Sequence, residues 1–173
     1  MTAKIKHFPG TSLSEQDIAS GRVLSSIDNL DGQYSWDTGV GIGQYLAALK
    51  EGYLLGAHCS HCHKTVIPPR TICEWCYRPM DDFVPLKDTG TINTFSLCYV
   101  TWDVQRIKEP EIPAVIEIDG ASPLHGILHK LGEVDPDRVQ IGLRVQAVWK
   151  PAAEREGAIT DILYFKPIQE EQT

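Results

Sequence analysis

The sequence predicts a mainly β protein with N-terminal helices, in which a zinc ribbon is followed by a five-stranded OB-type barrel. Three observations carry that prediction. Two Cys-x2-Cys pairs, Cys59/Cys62 and Cys73/Cys76, stand ten residues apart. Five short β-runs fill the chain after Gly90. Between Val40 and Glu51, apolar residues recur at helical spacing.

The elements follow in chain order. Ser12-x-x-Glu15 has the pattern of a capping box, and the segment it opens closes on Gly21, so a short helix is expected over Ser12 to Ser20. Asn29 to Thr38 is rich in Asp, Gly, Gln and Ser and reads as a surface loop, with Trp36 expected to dock as its one large apolar anchor. Ile42, Tyr45, Leu46 and Leu49 then mark a helix, with Asp37 or Thr38 as N-cap and Gly52 as its stop. Glycines at 39, 41 and 43 do not make a dinucleotide loop, because a polar loop and not a strand precedes them.

The β-runs are Thr91 to Thr101, Ala114 to Asp119, Leu124 to His129, Leu143 to Lys150 and Ala158 to Phe165. In the fourth, Leu143, Val145, Ala147 and Trp149 alternate with polar residues, as in a sheet with one buried face. A helix-like link, Asp135 to Ile141, separates the third run from the fourth, which is the pattern of an OB-type barrel. The expected layout is an N-terminal helical segment over 1–52, a zinc ribbon over 53–82, the barrel over 83–167 and a flexible tail over 168–173.

A chain of 173 residues, 42% hydrophobic, can bury one compact core with a small appended module. No run reaches the roughly 18 consecutive apolar residues of a membrane span, and Met1 to Gly10 lacks the apolar centre of a signal peptide, so the reading is cytoplasmic. Lys plus Arg number 16 against 23 Asp plus Glu, and the formal charge of −7 disfavours a nucleic-acid partner. Zinc-ribbon and OB modules also occur in nucleic-acid-binding proteins, which is the alternative reading.

Each Cys-x2-Cys knuckle brings two thiolates to one point, and two knuckles supply the four tetrahedral sulfurs, at about 2.3 Å from the ion, of a closed structural zinc site. A lone pair would suit a redox dithiol, but the second pair makes metal the better account. Iron in a rubredoxin-like site would use the same four ligands; zinc is preferred. His58, His61 and His63 crowd the first knuckle, and with four cysteines already present they are expected to stay outside the ligand set. A closed sulfur site offers no position for water activation.

No nucleophile elbow, P-loop or metalloprotease motif occurs, so no catalytic residue is assigned. Cys98 reads as a small sheet residue. His125 and His129, on one face of the third run, read as structural histidines, and Asp81 and Asp82 as turn residues. Lys64, Arg70 and Arg78 concentrate positive charge around the ribbon of an acidic protein and are candidates for holding a phosphate. Trp102, Arg106 and Lys108 lie between the first two β-runs, where OB-type sheets meet ligands, and are second candidates.

The order of parts, with Gly56-x-His58-Cys59-x-x-Cys62, Pro68-Pro69-Arg70-x-x-Cys73-x-x-Cys76 and then Gly90-Thr91-Ile92, resembles the DUF35 family over about Val40 to Pro167. That resemblance implies a rubredoxin-like zinc ribbon joined to an OB-fold. It also implies a non-catalytic accessory subunit of thiolase-superfamily enzymes, which helps to assemble the complex and to bind acyl-CoA. Members resembling this chain pair with thiolases, hydratases, aldolases or acetyltransferases, one of them in the thiolase of an anaerobic aromatic degradation pathway. The expected cofactor is structural Zn2+, with coenzyme A or acyl-CoA at the partner interface. Residues 1–38 fall outside the resemblance.

Overall fold

The computed structural model describes residues 13–23, 26, 32, 34–80 and 82–168. The chain divides into two units, Met1–Trp36 and Asp37–Thr173. In the first, helix α1 spans Glu15–Ala19. Its cap is Ser14 and not Ser12, which lies outside the described residues. The Ser14 side chain accepts from the Asp17 N–H at 3.3 Å, and the Asp17 carboxylate accepts from the Ser14 N–H at 2.9 Å. The capping box thus sits two residues later than expected. Trp36 is 83% exposed, with the Tyr34 ring 6.3 Å away.

The second unit opens with helix α2, Gly39–Glu51, capped by Thr38 without a side-chain bond, while the Asp37 carboxylate accepts from the Gly39 N–H at 2.9 Å. Gly52 stops it in the left-handed region, φ 89, and its N–H reaches the carbonyls of Ala48 and Leu49. Tyr45, Ala48 and Leu49 are buried at i, i+3 and i+4 spacing. A Cβ at Gly41 would lie 2.9 Å from the Pro69 carbonyl oxygen, so the glycine lets the helix approach the ribbon backbone.

The ribbon sheet contains β1 (Leu54–Cys59), β2 (Lys64–Val66) and β3 (Asp82–Leu86), in the order β2-β1-β3, all antiparallel. Asp82 therefore begins a strand where a turn was expected. Ala57, Cys59, Val66, Cys73 and Met80 form a small buried cluster of their own.

The barrel strands are β4 (Thr89–Phe95), β7 (Pro113–Ile118), β8 (Gly126–Lys130), β9 (Arg144–Trp149) and β10 (Ile162–Pro167), paired in the order β10-β9-β4-β7-β8. The edges meet through a Leu131–Phe165 bridge, where the Gly132 N–H donates to the Phe165 carbonyl at 2.9 Å. This single bridge brings the two edge strands of the sheet together at one point, as in a partly open OB-type barrel. Along β7, Ala114, Ile116 and Ile118 are buried and alternate with half-buried neighbours. These residues join Ile92, Val145, Ile162 and Phe165 in one core, to which β1 adds Leu54 and Leu55 and α2 adds Tyr45 and Leu49. Helix, ribbon and barrel therefore share a hydrophobic centre.

Three local expectations need correction. The first β-run is two strands, β4 and β5 (Cys98–Val100), and β5 pairs with β6 (Arg106–Glu111) in a two-stranded arm. The link between β8 and β9 is a single 3-10 turn, Pro136–Arg138, with Asp135 as its cap. The last strand starts at Ile162, because Ile159–Asp161 is another 3-10 turn. Among the described residues, no helix is long and apolar enough to cross a membrane.

Candidate metal centre

The two knuckles are built alike. In the first, Cys59 ends β1, the Cys62 N–H donates to the Cys59 sulfur at 3.4 Å, and the His63 N–H returns to the Cys59 carbonyl at 2.8 Å. In the second, the Tyr77 N–H returns to the Cys73 carbonyl at 2.9 Å, and the Cys73 N–H donates to the Arg78 carbonyl at 2.8 Å. The sulfurs of Cys59, Cys62, Cys73 and Cys76 all lie within 4.8 Å of one another, with Cys59 and Cys76 3.7 Å apart. A tetrahedral ion about 2.3 Å from each sulfur would hold the sulfurs about 3.8 Å apart, so the set fits zinc.

Cys59 and Cys73 are buried, and Cys62 and Cys76 are half-buried. Crowded thiols do not ionise independently. Hydrogen bonding to Cys76, then burial, pushes the Cys62 thiol up to about 12. Burial also opposes the Cys73 charge, yet the N–H groups of Cys76 and Trp75 outweigh it and bring that thiol down to about 7. Binding a dication releases the remaining protons and ties the ribbon's folding to the metal. An ion held by these four sulfurs would supply a structural cross-link. With four protein sulfurs around it, no coordination position is left for water or substrate.

The three neighbouring histidines stay outside the sulfur set. His58 Nδ1 lies 3.0 Å from the Thr65 hydroxyl, His61 Nδ1 is 3.7 Å from the Cys62 sulfur, and His63 is exposed.

The predicted cations fall into two groups. Around the second knuckle, Arg70 is paired with Glu74, and the Lys64 ammonium sits 5.8 Å over the Trp75 ring. Arg78 is exposed. Trp102 occupies the tip of the β5–β6 arm, whereas Arg106 and Lys108 lie within β6 and not in a loop, because Val100 and Arg106 pair across the arm. Among the described residues, no hydrogen bond, ion pair or ring contact joins the two groups.

Sequence reasoning missed the contacts that fasten the ribbon to the barrel. His125 precedes β8, its Nε2 lies 3.1 Å from the Glu74 carboxylate, and its ring lies 5.2 Å from that of Trp75. His129, expected on the same face, instead approaches the Ile159 carbonyl at 3.4 Å and the Phe165 ring. Thr65 and Ser122 exchange two bonds: the Thr65 N–H donates to the Ser122 hydroxyl at 2.9 Å, and the Ser122 N–H donates to the Thr65 carbonyl at 2.8 Å. The partners lie 51 and 57 residues apart in these two contacts, so no local motif could have announced them.

Comparison with known proteins agrees with this architecture. Residues 46–80 match the family model "ChsH2, rubredoxin-like zinc ribbon domain", and residues 83–150 match "ChsH2, C-terminal OB-fold domain". No curated protein sequence matches. One similar solved structure is a DUF35-family protein of unknown function from Sulfolobus solfataricus, 19% identical, covering 73% of this chain and 84% of that one, with a TM-score of 0.58. Another is the Ltp2-ChsH2(DUF35) aldolase, 20% identical, covering 78% of this chain and 98% of that one, with a TM-score of 0.56. A ChsH2-type ribbon with four gathered sulfurs, running directly into a ChsH2-type OB-fold, places this chain in the DUF35 family.

Proposed function

We propose that this chain is the non-catalytic zinc-ribbon and OB-fold subunit of a thiolase-superfamily acyl-CoA complex, where it supports assembly and contacts the acyl-CoA. The carrying observation is the closed four-sulfur centre, which braces a scaffold without offering a reactive position. The name of the Ltp2-ChsH2(DUF35) aldolase, which pairs a DUF35 chain with an enzyme, supports an enzyme partner. The β5–β6 arm suits docking: Trp102 is 96% exposed at its tip, with Tyr99, Val100 and Val104 also exposed. In this reading Lys64, Arg78, Arg106 and Lys108 face the phosphates of CoA at the partner interface, and Arg70, already paired with Glu74, contributes less.

Co-expression with thiolase-fold chains from the same genome tests the reading. A stoichiometric complex is expected by light scattering, with acyl-CoA turnover by the complex and none by the isolated chain. Failure of any thiolase-fold chain to associate, or turnover by this chain alone, overturns it.

A further inference from the structure

A cleft of about 720 Å3, within the volume range of small-molecule sites, opens where the link between β8 and β9 meets β9 and β10. None of its lining residues belongs to the ribbon or to the β5–β6 arm. Val134, Leu143 and Ile168 give it apolar walls. Four charged side chains also line it, and two of them satisfy each other: the Lys166 ammonium lies 3.3 Å from the Glu133 carboxylate, which also accepts from the Tyr164 hydroxyl. The other two are Arg138 and Asp135, and among the described residues neither has an ion-pair partner. The 3-10 turn Pro136–Arg138 fixes their places. Asp135 caps it, one carboxylate oxygen accepting from the Asp137 N–H at 3.0 Å, and the Arg138 N–H donates to the Asp135 carbonyl at 2.9 Å. At three residues per turn, Asp135 and Arg138 stand on the same side. The capping bond draws the Asp135 carboxylate toward the backbone and leaves its second oxygen unpaired.

A simple anion here would be opposed by Asp135, and a simple cation by Arg138. A ligand carrying both charges a few bonds apart matches the pair and opposes neither. We propose that this cleft binds an apolar α-amino acid, its carboxylate on the Arg138 guanidinium, its ammonium on the Asp135 carboxylate and its hydrocarbon side chain against Val134, Leu143 and Ile168. The guanidinium fork suits a carboxylate, which it can bond through two parallel N–H groups. The inference concerns this chain alone and does not depend on the enzyme-partner reading.

The test is an NMR titration of the zinc-loaded full chain with L-phenylalanine. Saturable shifts are expected at Val134, Leu143 and Ile168. The analogue 3-phenylpropanoate lacks the ammonium, and phenethylamine lacks the carboxylate. Each should bind about tenfold more weakly or worse, the range of one hydrogen bond to a charged group. Arg138→Gln should weaken phenylalanine binding by a similar factor. So should Asp135→Asn, which keeps the cap because Asn and Asp cap equally well. Both variants should unfold at the native midpoint, and the analogue series decides the question without any substitution. Shifts that fail to saturate or that map elsewhere, analogues that bind as tightly as phenylalanine, or variants that bind it as tightly as the native chain overturn the proposal.

Discussion

His63 and Tyr77 hold the same place in the two halves of the ribbon. Each follows the second cysteine of its knuckle with a left-handed backbone, φ 54 and φ 57, and each returns its N–H to the carbonyl of the knuckle's first cysteine. Left-handed φ costs an L-residue about 1–2 kcal/mol, and glycine adopts it freely at an entropic cost of about 0.5–1 kcal/mol. Tyr77→Gly should therefore stabilise the zinc-loaded chain by about 0.5 kcal/mol, read as a raised unfolding midpoint. A lowered midpoint would show that the exposed phenol contributes contacts outweighing the strain.

Cys73→Ser removes one of two fully enclosed sulfurs. Zinc content measured by elemental analysis should fall from about one per chain toward zero, because the remaining three thiolates lose the closed tetrahedral set. Barrel resonances should persist, since half of the main core's buried residues come from β4, β7, β8, β9 and β10, while Cys73 belongs to the smaller ribbon cluster. Stoichiometric zinc in this variant would contradict the four-sulfur assignment.

What was legible in the sequence was local. Cys-x2-Cys fixes a knuckle within four residues, and alternation from Leu143 to Lys150 marks the face on which Val145 and Ala147 are buried. Strand β6 was hidden because Arg-Ile-Lys-Glu-Pro-Glu carries charges and a proline; its extended backbone is set by pairing with β5. The register of α1 was ambiguous because Ser12 and Ser14 each precede an acidic residue by three positions, and only geometry distinguishes Glu15 from Asp17 as the reciprocal partner. Helical spacing marked Tyr45 as a core residue, but whether its hydroxyl finds a partner depends on what surrounds it in space.

Asp119 and Arg144 pair across the barrel end, with Arg144 also donating to the Thr91 hydroxyl at 2.9 Å. Hydrogen bonding from Arg144, opposed by burial and aided by Thr89, lowers the Asp119 carboxyl to about 2. A carboxyl with a depressed folded-state pKa stabilises fully above its unfolded value near 4, and that contribution is lost as pH falls from about 4 through 2. Asp119→Asn should cost about 1 kcal/mol at neutral pH, a modest figure because both groups are partly solvated. The variant should also flatten the acid limb of stability measured by denaturant titration at a series of pH values. An acid limb unchanged in Asp119→Asn would assign the effect to other carboxylates.

Trp102 is held out by an ordered turn. The Thr101 N–H donates to the Gln105 carbonyl at 2.9 Å, the Thr101 hydroxyl accepts from the Gln105 N–H at 3.1 Å, and the Val104 N–H reaches the Thr101 carbonyl at 3.0 Å. Val104 completes the turn at φ 66, a conformation that β-branched residues rarely adopt. A large aromatic presented on a fixed turn loses little side-chain freedom on docking, the property of an interface anchor. Trp102→Ala should therefore weaken association with the proposed enzyme partner by about 2 kcal/mol, roughly thirtyfold in Kd by calorimetry. The isolated chain's stability should shift by less than about 0.5 kcal/mol, because the indole contributes almost nothing to the core. Equal affinity in the two chains would remove the arm from the interface and leave the ribbon face, with Trp75 and Tyr77, to carry the contact.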